Sequence, residues 1–287
     1  MKHILTTLLL VIVTGSLLMA QQQPQRLLRV SPFASVSQTI GISEVTVTYH
    51  RPGVKGREIW GSLVPFGQVW RAGANNATVF SFSDDVQING TTLKAGKYSF
   101  FTIPGEKEWT VIFNTTADQW GAYYYDSTKN VLTFTVTPEQ SAHEEWLSYS
   151  FSDLTMSSAK VSLRWEKLSV SFTVATNTNE NIGKLESSLT TQAATQAALL
   201  ARYSIDNKSD YERGMLAADR AIALAPTWSN YSLKAQLLAA QDKFTDAVKT
   251  GEQAIEIGKK AGANTSFFEK MVGEWKAKLP ATKGKKK

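Results

Sequence analysis

Residues 45–49, Val-Thr-Val-Thr-Tyr, decide the fold class of the first half of the chain. The large apolar residues alternate with threonines, which is the two-residue period of a strand with one buried face. Similar alternation recurs as far as residue 174, with turn sequences roughly every 8–12 residues. We therefore expect further strands at Thr78–Phe82, Val86–Ile88, Tyr98–Ile103, Trp109–Phe113, Val131–Val136, Trp146–Phe151, Val161–Trp165 and Val170–Val174.

The sequences between these segments favour antiparallel pairing. Asn89-Gly90 suits a type I′ hairpin, because both residue types tolerate the positive φ angles of that turn. No segment between the strands has the period and length of a helix, so a parallel sheet with crossover helices is not expected. The prediction for residues 21–176 is an all-β antiparallel sandwich of jelly-roll or barrel-like form.

Residues 177–280 are predicted to form a smaller α-helical repeat domain, because alanine, leucine, lysine and glutamate replace the β-forming residues there. Two stretches share an aromatic residue, a small residue and an Ala-Ile pair. These residues are Tyr211, Gly214, Ala221 and Ile222 in the first copy and Phe244, Ala247, Ala254 and Ile255 in the second. The pattern resembles the tetratricopeptide repeat, whose period is ~34 residues. Ordinary helical packing without a peptide groove is the alternative.

The N-terminal residues 1–20 have the layout of a secretory signal peptide. Lys2 supplies the positive charge, residues 4–13 are almost all apolar, and the small residue Ala20 precedes a polar stretch. A membrane anchor is the alternative, but the apolar run is shorter than the ~20 residues that a spanning helix needs. We expect a periplasmic or secreted protein with no transmembrane segment.

The formal charge of +6 comes from 31 Lys+Arg against 25 Asp+Glu. The excess lies mainly at the C-terminus, so residues 281–287 are predicted to be a disordered basic tail. Contact with an anionic membrane surface is the alternative for its lysines. An exported protein meets little nucleic acid, and no nucleic-acid partner is expected. The lysines are Lys283, Lys285, Lys286 and Lys287.

The densest run of unusual residues lies between residues 49 and 78, where glycines and prolines favour loops. Four basic side chains fall within 51–71, and Glu58 is the only acid there. Such groups bind carboxylate, phosphate or sulfate, and tryptophan adds a stacking surface for a sugar ring. The alternative is that the tryptophans belong to the core and the arginines cap carbonyl groups. The candidate ligand-binding residues are Arg51, Lys55, Arg57, Trp70, Arg71 and Asn75.

Enzyme signatures are weak. The chain has no cysteine, which excludes a thiol nucleophile, an iron–sulfur cluster and a zinc site with cysteine ligands. No metal or cofactor motif is present, and none is expected. His50 is the candidate for an alternative function, a hydrolase or lyase assisted by nearby arginines. We favour a non-catalytic module that binds a small anionic or sugar ligand or a protein partner, because no complete set of nucleophile and base can be named.

The motifs of the first half resemble a known family. The run at residues 49–78, the Val-x-Ile-Asn-Gly at 86–90, and the stretches 93–105 and 108–114 are similar to an exported bacterial family known as domain of unknown function 2911. The resemblance covers residues 27–175 and implies a β-sandwich with no established activity. The helical half resembles an extension that many members carry. Asn76 stands where the resemblance implies a glutamate.

Overall fold

The computed structural model describes residues 28–280. The predicted signal peptide and the predicted basic tail lie outside these residues. The strands are β1 (Phe33–Ile40), β2 (Ser43–His50), β3 (Thr78–Phe82), β4 (Val86–Ile88), β5 (Thr91–Leu93), β6 (Gly96–Ile103), β7 (Trp109–Asn114), β8 (Asn130–Val136), β9 (Glu139–Ser152) and β10 (Ser158–Thr176). The helices are α1 (Thr178–Asp206), α2 (Tyr211–Leu224), α3 (Trp228–Ala240), α4 (Phe244–Lys260) and α5 (Ser266–Ala277), and Ser127–Lys129 forms a 3-10 turn.

The strands form two antiparallel sheets. One has the order β1-β2-β3-β6-β7-β8 and the other has the order β5-β4-β10-β9. Every pairing between neighbouring strands is antiparallel. The two sheets and the helices that follow them confirm the predicted fold class, a β-sandwich followed by a helical region.

Aromatic side chains fill the core between the two sheets. Phe80, Phe100 and Phe113 are fully buried. The ring centroid of Phe80 lies 4.8 Å from that of Phe100 and 5.4 Å from that of Phe113. Phe172 of β10 stacks on Phe100 at 5.8 Å, so the sheets face each other across this layer. The core continues through a cluster of four tryptophans, Trp60, Trp70, Trp109 and Trp165.

The strand predictions differ from the structure in three ways. Phe33–Ile40 and Thr91–Leu93 are strands that were not predicted. In the first of them, small and polar residues separate Phe33, Val36 and Ile40, so the large apolar residues do not follow a two-residue period. β9 begins at Glu139, ahead of the predicted start at Trp146. The predicted strands Val161–Trp165 and Val170–Val174 are parts of one long strand, β10. Glu166 has a φ of 55° and lies at a shift of register against β9. A bulge of this kind bends a strand without ending it, which is why the hydrophobic pattern breaks there.

The loop that follows β7 covers part of the face of the six-stranded sheet that points away from the four-stranded sheet. Phe101 and Ile112 turn away from the main core and are buried beside Ala122 and Tyr125 of this loop. The loop begins after β7, and its Gly121 N–H donates a 3.0 Å hydrogen bond to the carbonyl oxygen of Asn75. The residues around position 120 are therefore fixed against the segment that connects β2 to β3.

The chain divides into two compact units between residues 178 and 179. In the helical unit, small residues bring helices into contact. A Cβ added at Gly214 would lie 2.6 Å from Cβ of Ser204, and one added at Gly258 would lie 2.6 Å from Cγ2 of Thr265. The similarity to the tetratricopeptide repeat stays a prediction. Among residues 28–280, no helix combines the length and apolar character needed to cross a membrane.

Candidate functional site

A cavity of about 310 Å³ opens beside the loop that connects β2 to β3. We call it the basic cavity, because its wall carries three cationic side chains and no acidic one among the described residues. Five of the six predicted ligand-binding residues line it. These are Lys55, Arg57, Trp70, Arg71 and Asn75.

Short backbone contacts hold the loop in place. Val54 N–H donates to the carbonyl oxygen of Glu145 at 2.8 Å, which ties the loop to β9. Trp70 exchanges two hydrogen bonds with Thr102 of β6, at 2.7 and 2.9 Å. Asn75 has a φ of 57°, which asparagine tolerates better than most residues, and its Nδ2 donates to the carbonyl oxygen of Ser31. The wall of the basic cavity is therefore anchored to both sheets.

Arg51 does not line the basic cavity. Its Nε donates to the carbonyl oxygen of Leu147 at 2.8 Å, and its Nη2 donates to that of Trp146 at 3.3 Å. These contacts connect the end of β2 to β9. Arg51 matches the alternative interpretation of the basic run, in which an arginine satisfies backbone carbonyl groups.

Arg57 is held by the loop to which it belongs. Its Nε donates to the carbonyl oxygen of Val54 at 3.1 Å, and its Nη2 donates to that of Gly53 at 2.6 Å. The guanidinium is thus fixed at the cavity wall, where its remaining N–H groups are available to a ligand.

Lys55 is exposed and lines the basic cavity. Its backbone N–H donates to Oε1 of Glu145 at 2.9 Å. Its Nζ lies 5.7 Å from the centroid of the Trp146 ring. No ion pair among the described residues includes Lys55, Arg57 or Arg71. Glu145 is an acid that contacts this loop, and Glu58 is the acid within it.

Arg71 differs from the other two cations, because its Nε is buried and has no hydrogen-bond partner within the described residues. Burial lowers the pKa of its guanidinium, and the hydroxyl of Tyr123 partly offsets this effect. A buried donor without a partner costs about 1–3 kcal/mol, and more when the group is charged. A bound acceptor would remove this cost.

Two indole rings form part of the cavity wall. Trp70 and Trp165 both line the basic cavity and stack at 5.9 Å with an interplanar angle of 18°. The Nε1 atom of Trp165 is buried and lacks a hydrogen-bond partner in the described chain. Trp60 packs against both rings but is not part of the wall. The tryptophans are therefore core residues, and two of them also present a surface to the cavity.

Trp165 was not predicted from the sequence as a site residue. It lies on β10, where its place in an alternating segment is typical of any core tryptophan. Ser31, which also lines the basic cavity, precedes the first strand and carries no motif. Neither residue could have been assigned to the site without knowing which strands lie beside the loop.

His50, the candidate catalytic residue of the alternative function, does not line the basic cavity. Its side chain is 9% exposed and packs edge-on against Phe33 at 5.6 Å. Burial, followed by the charges of Arg29 and Arg71, holds the pKa of His50 below its usual 6.5. No hydrogen bond joins His50 to an acid or a hydroxyl in the part of the chain described. No group of three or more histidine, aspartate and glutamate residues between positions 28 and 280 is placed to hold a metal ion.

The first unit of the chain is a two-sheet β-sandwich, and its basic cavity lies beside the loop that connects β2 to β3. The family described as "Protein of unknown function (DUF2911)" matches residues 31–174, and the chain belongs to this family. The match confirms the resemblance noted in the sequence and covers every lining residue of the basic cavity except Val30. No curated protein and no solved structure matches the chain.

Proposed function

We propose that the protein is an exported, non-catalytic binding protein that takes a small anionic ligand in the basic cavity. The observation that carries the proposal is the buried, unpartnered Nε of Arg71. Such a group needs an acceptor, and an ionised carboxylate, phosphate or sulfate forms a stronger hydrogen bond with it than a neutral acceptor does.

The charges around Arg71 support an anion. Lys55 and Arg57 line the same cavity, and like charges held together in one site are unfavourable unless an acid or a bound anion offsets them. The volume of about 310 Å³ suits a small molecule. The unpartnered Nε1 of Trp165 adds a neutral donor for a second oxygen of the ligand.

A binding role is supported over the hydrolase or lyase alternative by the surroundings of His50. A general base needs a partner that orients it and a nucleophile within hydrogen-bond reach. The described contacts of His50 supply neither, and its ring lies outside the basic cavity. The signal-peptide pattern at residues 1–20 supports export to the periplasm or the medium.

Calorimetric titration with phosphate, sulfate, acetate and glucuronate tests the proposal. We expect the wild-type protein to bind at least one of them, and Arg71→Ala to weaken that binding about tenfold or more, because a charged hydrogen bond is lost. Arg164→Ala is the matched control, since Arg164 is an exposed arginine that neighbours Trp165 on β10 and does not line the basic cavity.

Two results would overturn the proposal. One is a wild-type protein that binds none of the four anions. The other is an Arg71→Ala variant that binds as tightly as the control, with a thermal melt showing that both variants are folded. A large loss of stability in Arg71→Ala without anion binding by the wild-type protein would make Arg71 a structural residue.

A further inference from the structure

A second cavity, of about 350 Å³, lies on the face of the six-stranded sheet that points away from the main core. Val47 and Tyr49 of β2 point into the core, so the alternating residue His50 lies on the opposite side. We call this space the outer cavity. Its wall includes the polar side chains of Thr48, His50, Asn76, Asp118 and Gln119, with the phenyl ring of Phe33 beside them.

Gln119 has a fixed orientation in the outer cavity. Its Nε2 donates to Oγ of Ser99 at 3.1 Å and to the carbonyl oxygen of Thr116 at 2.8 Å. Ser99 Oγ itself donates to the same carbonyl, so it acts as an acceptor towards Gln119. The amide oxygen Oε1 is buried and has no partner among the described residues, and the side chain as a whole is 6% exposed. Gln119 thus lines the outer cavity with a fixed side chain whose amide oxygen has no hydrogen-bond donor among the described residues.

His50 offers both kinds of hydrogen bond to the same space. Its lowered pKa keeps the imidazole neutral at neutral pH, and a neutral imidazole has one donor and one acceptor nitrogen. Neither nitrogen makes a hydrogen bond within the part of the chain described. Two polar side chains, each more than nine-tenths buried, thus share one cavity with unused hydrogen-bonding atoms.

The charged groups around the outer cavity favour a neutral ligand over a cation, a metal ion or an anion. A cation is disfavoured because Arg29 and Arg71 lie close enough to His50 to lower its pKa. A metal ion lacks ligands, since Asp118 is the one carboxylate among the described lining residues. An anion would face the carboxylate of Asp118 and the unpartnered oxygen of Gln119. A neutral group that both donates and accepts remains, and a hydroxyl is such a group.

Phe33 provides an apolar surface at the outer cavity. Its side chain is 64% exposed although it borders a cavity, and its ring meets His50 at an interplanar angle of 75°. An exposed aromatic ring beside polar groups offers an apolar surface to the C–H face of a sugar ring, while the polar groups bind the hydroxyls.

We propose that the outer cavity binds a neutral sugar, with a hydroxyl donating to Oε1 of Gln119, other hydroxyls meeting Asp118 and His50, and the ring lying against Phe33. This site is separate from the basic cavity, with which it shares no lining residue. The proposed sugar binding therefore does not depend on the proposed anion binding.

Nuclear magnetic resonance titration of the full chain with glucose, galactose, mannose and N-acetylglucosamine tests the inference. We expect at least one sugar to shift the ring signals of His50 and to bind in the millimolar range. Phe33→Ala and Asp118→Asn should each weaken this binding about tenfold, because the first removes the apolar platform and the second an ionised acceptor. Phe267→Ala is the matched control, since Phe267 is a 78% exposed phenylalanine in the helical unit.

The inference is overturned if none of the four sugars shifts the His50 signals. It is also overturned if a sugar binds equally well to both variants and to the control. The anion panel applied to Phe33→Ala and Asp118→Asn separates the two proposals. Variants that lose sugar binding but keep anion binding support the sugar site in the outer cavity and leave the anion proposal unchanged. A wild-type protein that binds no anion overturns the anion proposal and leaves the sugar proposal unchanged.

Discussion

The β-sandwich and the helical unit differ in how many of their buried polar side-chain atoms have hydrogen-bond partners. All six buried side-chain atoms without a partner among the described residues belong to the β-sandwich, and they include Nε of Arg71 and Oε1 of Gln119. In the helical unit, buried Asn230 donates to the carbonyl oxygens of Ala221 and Ala225, and buried Ser232 donates to that of Ser229.

Both proposed ligand sites lie in the unit that holds these unpartnered atoms. Native proteins satisfy nearly all their buried polar groups, so a concentration of unsatisfied ones needs an explanation. Two of these atoms belong to residues of the basic cavity and one to a residue of the outer cavity. The helical unit, by contrast, is stabilised by close packing of small residues, and its buried polar groups serve the helices themselves.

The largest expected effect concerns the aromatic core of the β-sandwich. Trp109 is fully buried and contacts the rings of Trp60 and Trp70. Trp109→Ala should lower the free energy of unfolding by about 3–5 kcal/mol, because it removes a large apolar side chain and leaves a void. Urea unfolding followed by circular dichroism measures this change. Tyr124→Ala, at a 76% exposed position, is the control and should change stability by no more than about 0.5 kcal/mol.

A result in which both substitutions cost the same would contradict the assignment of Trp109 to the core. It would also remove the contrast between a core built on large rings and a helical unit built on small residues.

The next effect concerns the close approach of helices. A Cβ at Gly214 would lie 2.6 Å from Cβ of Ser204 and 2.9 Å from Cδ2 of Leu237. Gly214→Ala should therefore destabilise the helical unit by about 1–3 kcal/mol through overpacking. Gly183→Ala is the matched control, because Gly183 lies in α1 with nothing within 4 Å of an added Cβ. It should raise stability by about 0.5–1 kcal/mol, since alanine favours the helix.

Thermal and urea unfolding of the two glycine variants tests this point. Equal stabilities for Gly214→Ala and Gly183→Ala would show that the helices tolerate larger residues at their contact. The close contact at Gly214 would then not require a glycine.

The smallest effect concerns pH. Burial, with the charges of Arg29 and Arg71, lowers the pKa of His50 below 6.5 in the folded protein. The unfolded chain therefore binds this proton more readily, and stability should fall as the pH drops below 6.5 and level off below the lowered pKa. Above pH 6.5 the contribution is constant, because His50 is neutral in both states.

Urea unfolding at about pH 7.5 and about pH 5.5 measures this dependence, which spans the usual range of histidine titration. We expect the loss of stability between the two values to be smaller in His50→Gln than in the wild-type protein. His143→Gln is the control, because His143 is an exposed histidine of β9. An equal loss in all three proteins would show that His50 titrates as it does in the unfolded chain.

The sequence by itself determined the fold class, because the patterns that carry it are local. Alternation at residues 45–49 predicts a strand wherever that strand finally pairs. Gly214, the small residue of the first repeat copy, likewise lies at a close approach of two helices. The basic run also led to five of the residues that line one cavity, because a single loop brings them together.

Only the tertiary structure decided what each of these residues does. Arg51 and Arg71 are both arginines of the same run, yet Arg51 satisfies two carbonyl groups near β9 and Arg71 has a buried Nε without a partner. Trp165 and Gln119 come from segments far from that run. The physical reason is that a strand period depends on neighbouring residues, whereas a hydrogen-bond partner or a cavity wall depends on which distant segments the folded chain brings together.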